Sequence, residues 1–163
     1  MRGLGAVGDA RRVLGVDPSV RRAGLVVLEL RRGARPRWLH GEELRQGSGG
    51  DADRLGELAR AVARLVEEWR PEVVAVEDAY VGAVAGRSVV LVAAGVGAAL
   101  GAAAAAGVPV VLVSRARACQ CIGAACRGKA PVQRLVGAIV AAAPAGLSQH
   151  LADAAAVALA AVR

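Results

Sequence analysis

Val13-Leu14-Gly15-Val16-Asp17, followed at once by Pro18, is an apolar run that ends in an acid and a turn residue. Four apolar positions in a row, without polar alternation, read as a strand covered on both faces, and proline, which lacks an N–H and has a fixed φ, stops it. The segment 73–77, Val-Val-Ala-Val-Glu, repeats the pattern and closes on Glu77. If the two strands run parallel, Asp17 and Glu77 lie at the same sheet edge, which is where open α/β sheets bind ligands.

Outward from these runs, the Val/Leu-rich stretch 24–31 and the stretch 35–40, joined through Arg32-Gly33-Ala34, predict a hairpin on the same sheet. Asp51 is placed to cap a helix whose Leu55, Leu58, Val62, Leu65 and Val66 keep helical spacing up to Pro71. Ser88 can cap a second helix over 88–106, and Gly107 with Pro109 separates it from a fifth strand at 108–113. A basic irregular stretch at 115–129 and helices at 132–142 and 148–162 complete the chain. The order β-β-β-α-β-α-β-α-α predicts an α/β fold: a mixed five-stranded sheet, hairpin on one side and parallel crossover strands on the other, flanked by helices.

At 163 residues with 55% apolar and 21% charged side chains, the chain is expected to form one domain over 1–163, with 1–12 as a flexible N-terminal extension. Its formal charge of +7 favours an anionic partner such as nucleic acid. No secretory signal is legible around Arg2, Arg11 and Arg12, so a cytoplasmic location is expected. Cys119, Cys121 and Cys126 are an odd, clustered set that suits a reducing compartment and small buried side chains. The uncharged stretch 88–106 is long enough to cross a bilayer, yet its Ala/Gly content reads instead as a buried helix. Within it Gly95, Ala98, Gly101 and Ala105 recur at helical spacing and would admit a close backbone neighbour, either the sheet or a second subunit.

The acids are unevenly placed. Thirteen of the fourteen lie at or before Asp78, and Asp153 is alone beyond it, set among Ala, Leu and Val and accompanied by seven Arg and Lys. A carboxylate in such surroundings is expected either at a helix margin in water or against something positive. His150 lies three residues earlier, on the same helical face. If the last helix brings His150 and Asp153 over the edge that carries Asp17 and Glu77, three carboxylates and an imidazole converge. That donor set suits Mg²⁺ or Mn²⁺ better than zinc, and two such cations about 4 Å apart serve in-line attack on phosphorus. Strand-end acids also cap turns or pair with arginine, so the residues alone leave both readings open.

Two other patterns compete. Val89-Val90-Leu91-Val92 followed by Gly95, Gly97 and Gly101 imitates the strand, glycine turn and helix of a dinucleotide-binding oxidoreductase, with Arg115 available for a 2′-phosphate. It would leave Asp17, Glu77 and Asp153 without a role. The stretch 123–130, with Lys129, matches a phosphate-binding P-loop in all but one residue, Ala130, which stands where Ser or Thr should.

Taken in order, the motifs resemble the RuvC family of Holliday junction resolvases, whose fold is ribonuclease H-like. Val13 to Gly24 reads V-L-G-V-D-P-S-V-R-R-A-G, similar to the family's first strand and turn, with Asp17 as the metal-binding aspartate and Gly24 seven residues on. Pro71 to Tyr80 reads P-E-V-V-A-V-E-D-A-Y and resembles the segment that supplies the second acid, Glu77, and an aromatic at the junction, Tyr80. The stretch 123–133 resembles a DNA-contacting segment through Lys129, and His150-Leu151-Ala152-Asp153-Ala154 looks like the closing H-x-x-D helix. Ser19 stands where a turn glycine is usual, and Ala118 where a lysine is expected, with Arg115 and Arg117 as substitutes. The resemblance implies a homodimer that cuts symmetrically opposed strands of a four-way junction with Mg²⁺, or Mn²⁺ in its place, two ions per site. Asp17, Glu77, His150 and Asp153 would hold metal, and Tyr80, Arg115, Arg117 and Lys129 would touch DNA. A junction-binding protein without catalysis shares the basic face but needs neither acids nor Mg²⁺.

Overall fold

The structure, a computed structural model, describes residues 10–19, 21–45, 49–79, 87–123 and 130–162. Tyr80, Cys126, Lys129 and most of the P-loop-like stretch lie outside the described residues. Five strands, β1 (Arg11–Asp17), β2 (Arg22–Leu30), β3 (Arg37–Arg45), β4 (Val73–Glu77) and β5 (Val110–Val113), form one sheet in the order β3-β2-β1-β4-β5. β1 pairs antiparallel with β2, and β2 with β3, while β1–β4 and β4–β5 are parallel. The expected mixed sheet of a hairpin plus crossover strands is therefore the observed one.

Boundaries differ in instructive places. β1 starts at Arg11, so the last two residues of the expected extension belong to the strand. β3 runs over Arg37–Arg45 rather than 35–40, because ladder pairing with β2 extends to Arg22↔Arg45 despite the polar run His40 to Glu43. Part of the basic stretch expected to be irregular is a helix, α3 (Arg115–Cys121), whose N-cap Ser114 accepts from the Arg117 N–H through Oγ at 3.2 Å. The first helix, α1 (Asp51–Trp69), is capped at Gly50, not Asp51. The Gly50 N–H donates to Asp53 Oδ2 at 3.0 Å, while Asp51, already inside the first turn, pairs with Arg87 at 2.7 Å.

The sheet is covered on both faces. Leu14, Val16, Leu25, Val27, Val74 and Val76 face α1 and α2 (Arg87–Ala105). Val13, Val26, Leu28, Ala75 and Val113 face α3, α4 (Ala130–Ile139) and α5 (Gln149–Ala160). α5 crosses β1 and β2 with an unbroken buried run from Ala152 to Ala160. Two glycines permit that approach: a Cβ at Gly15 would run into the Ala154 carbonyl, and one at Gly24 into the His150 carbonyl.

α2 departs from the expected buried helix. By length and composition it could cross a membrane, yet it packs one face on α1 and β4 through Gly95, Val96, Ala99 and Ala103 and leaves the other open. Val90, Ala93, Gly97, Gly101 and Ala104 form the exposed stripe. Of the small residues singled out, Gly95 meets Pro18, whereas Gly101 meets nothing. Residues 89–92, the run read as the strand before these glycines, are part of α2, and the dinucleotide-binding reading loses its phosphate turn.

Candidate active site

Strand parity decides what shares a face. On β1, Val13 and Gly15 point to α5, hence so does Asp17, its last residue; on β4, Ala75 does the same for Glu77. α5 opens at the N-cap Ser148, whose Oγ accepts from the Leu151 N–H at 3.3 Å. The cap fixes the first turn over the sheet edge, and i, i+3 spacing then presents His150 and Asp153 together. Arg115, the first residue of α3, follows β5 onto the same edge.

The contacts are specific. His150 Nδ1–H donates to Asp17 Oδ2 at 2.7 Å. Arg115 Nη1 lies 3.5 Å from both Glu77 Oε1 and Asp153 Oδ2, and Gln149 Nε2 donates to Asp153 Oδ2 at 3.3 Å. Asp17 and Asp153 are the buried charged residues among those described, at 7% and 8% exposure. Asp153 is thus buried against a cation rather than left in water, the second of the two expected arrangements.

These acids feel one another. Burial pushes Glu77 up from 4.5 to about 7, the Asp17 charge adds to the rise, Arg115 opposes it and Asp153 adds again. Asp153 is raised by burial, with Arg115 opposing and Asp17 adding. His150 is raised because its hydrogen bond to Asp17 favours the charged ring. Raised carboxyls around an internal cation describe a site short of positive charge. Among the described residues no three His, Cys, Asp or Glu side chains close into a ready-made metal cage. The donors are nevertheless of the hard type, carboxylate oxygen plus imidazole nitrogen, and they suit a divalent cation in charge and kind.

All four residues expected to hold metal therefore converge. Of the expected DNA contacts, Arg115 turns inward onto the acids, Arg117 is exposed, and Tyr80 and Lys129 lie outside the described residues. Ala118 is buried at 5% exposure and carries no charge; one turn earlier on α3, Arg115 is the cation that meets Glu77 and Asp153. Gln149 was missed, although a polar residue four positions before a buried aspartate on one helix is a readable signal.

The model of the family described as "Crossover junction endodeoxyribonuclease RuvC" matches residues 13–161. A protein of that name from Xanthomonas oryzae pv. oryzae is 35% identical over 72 residues, 44% of this chain, and the aligned stretch spans 41% of the relative's length. Among solved structures, Thermus thermophilus RuvC in complex with Holliday junction substrate superposes with a TM-score of 0.79 and 31% identity, covering 91% of each chain. The yeast mitochondrial Holliday junction resolvase Ydc2 shares the fold, with a TM-score of 0.65 at 14% identity, over 96% of this chain and 79% of its own. With its strand order, its edge of acids and a family match across nearly all of its length, this chain belongs to the RuvC family, and its fold is ribonuclease H-like.

Proposed function

We propose that this chain is a metal-dependent, structure-specific endonuclease that resolves four-way DNA junctions by paired, symmetric phosphodiester hydrolysis, working as one nuclease domain within a homodimer in the cytoplasm. The observation that carries the reading is the convergence of Asp17, Glu77 and Asp153 with His150 at one sheet edge of a RuvC-family chain. Asp17, Glu77, His150 and Asp153 are the residues to hold Mg²⁺, or Mn²⁺ in its place, with two ions per site. Bound there, the ions supply Lewis-acid stabilisation of charge developing at phosphorus.

The chain's own groups do the rest. Asp17 holds the Nδ1 proton of His150, which leaves Nε2 to take or give a proton or to act as a ligand. Arg115 shares one positive charge between Glu77 and Asp153 and so offsets repulsion among the carboxylates in the metal-free protein. Tyr80 stacks on an unpaired base, and Arg117 and Lys129 meet phosphates. The open stripe of α2 suits a two-fold interface, since Gly97 and Gly101 offer room where a Cβ would meet nothing and Val90 is 68% exposed. Cleavage of a synthetic four-way junction, compared with plain duplex, in Mg²⁺ and in chelator, tests the reading. Asp17→Asn and Asp153→Asn should each abolish cutting while junction binding persists; retained cutting rejects the site, and cutting in chelator rejects the metal.

A further inference from the structure

The acid-bearing edge continues along the sheet into the hairpin, where two arginines face one another. Arg22 opens β2 and Arg45 closes β3, and the register pairs them directly. Asp17 pairs with Gly24, so Arg22 lies just beyond the end of β1. Their side chains share the face of the acids. Ala23, Leu25, Val27 and Leu44 pack toward α1 and α2, whereas Gly24 and Val26 face α5, which places Arg22 and its partner Arg45 on the α5 side. Along one edge the strands thus present Arg45, Arg22, Asp17 and Glu77.

Like charges directly opposite on paired strands are destabilising, and both side chains are exposed. Arg22 is partly compensated by Glu43 at 3.5 Å; Arg45 has no carboxylate partner among the described residues. Glu43 in turn is the ladder partner of Gly24, whose position lies against the His150 carbonyl, so the pair is continuous with the site rather than on a remote surface. Neighbouring strands stand about 4.8 Å apart, so the pair extends about 10 Å from β1, the axial span of some three phosphates of one strand.

We propose that Arg22 and Arg45 form a phosphate-binding clamp for the DNA strand running away from the cleavage centre, on the hairpin side of the sheet. The assignment rests on the nuclease reading above. It adds contacts from the N-terminal half, whose near balance of acids and bases conceals them. Arg45 is the stronger member, because no acid must be released before it meets phosphate.

The test is junction binding by fluorescence anisotropy in chelator between 50 and 200 mM salt, for the wild type, Arg45→Gln, the Arg22→Gln/Arg45→Gln double variant, Arg45→Lys and the control Arg60→Gln on exposed α1 surface. Each phosphate contact contributes about 0.9 to the log–log salt slope. Arg45→Gln should shed about one contact and the double variant about two, while Arg45→Lys and Arg60→Gln keep the full slope. Melting temperatures should hold or rise, since repulsion is relieved. If the double variant fails to fold, the single substitution decides. Unchanged slopes in a wild type that binds and cuts overturn the clamp and leave the nuclease intact; a wild type that does not bind junctions overturns both.

Discussion

Replacing Glu77 by glutamine should make the metal-free protein more stable at alkaline pH, although the carboxylate belongs to the proposed catalytic set. In the fold Glu77 titrates at about 7 instead of 4.5, chiefly because it is buried and secondly because Asp17 is near. At about 1.4 kcal/mol per pH unit, the difference amounts to about 3 kcal/mol. A carboxyl whose folded pKa is raised binds more protons folded than unfolded. Its contribution is favourable relative to the ionised form at low pH and is lost as pH climbs from 4.5 through about 7. Glutamine removes that titration. Thermal melts in chelator, taken from pH 4.5 to 8.5, should give coincident stabilities at the acid end and an advantage for Glu77→Gln of about 3 kcal/mol at the alkaline end, roughly 10 °C for a chain of this size. His150 and Asp153, also raised, tilt both curves the same way, so the difference between them isolates Glu77. A difference curve flat across this range would refute the reasoning.

Two further substitutions probe how the site is assembled. Gly24→Ala sets a methyl against the His150 carbonyl, so it should cost about 1–3 kcal/mol and reduce cleavage below what the stability loss explains, by moving His150 off Asp17; melts and cleavage assays below the melting range check this, and unimpaired cutting would show that the start of α5 is set elsewhere. Arg115→Gln takes the counter-charge from Glu77 and Asp153; the metal-free melting temperature at pH 8 should drop, at a cost of about 1 kcal/mol given the arginine's partial exposure, and the midpoint of a Mg²⁺ titration followed by thermal shift should move to lower concentration, whereas a higher midpoint would make Arg115 an aid to metal binding.

By itself, the sequence determined the sheet's composition and the identity of its acids. Short apolar runs bounded by turn residues and closed by Asp17 and Glu77 read as buried strands with carboxylates at their ends, and an aspartate isolated in an alanine-rich helix must find a cation or water. Such patterns are local, and periodicity and burial cost suffice to read them. Tertiary structure decided the rest. That α3 is a helix, and that Arg115 rather than Arg117 meets the acids, depends on a serine cap and a chain direction set by β5. The Arg22–Arg45 pairing depends on ladder register across a polar strand with no hydrophobic alternation to announce it. The open face of α2 was invisible because a helix of small residues looks alike whether a sheet, a second subunit or nothing lies against it, and only packing tells these apart.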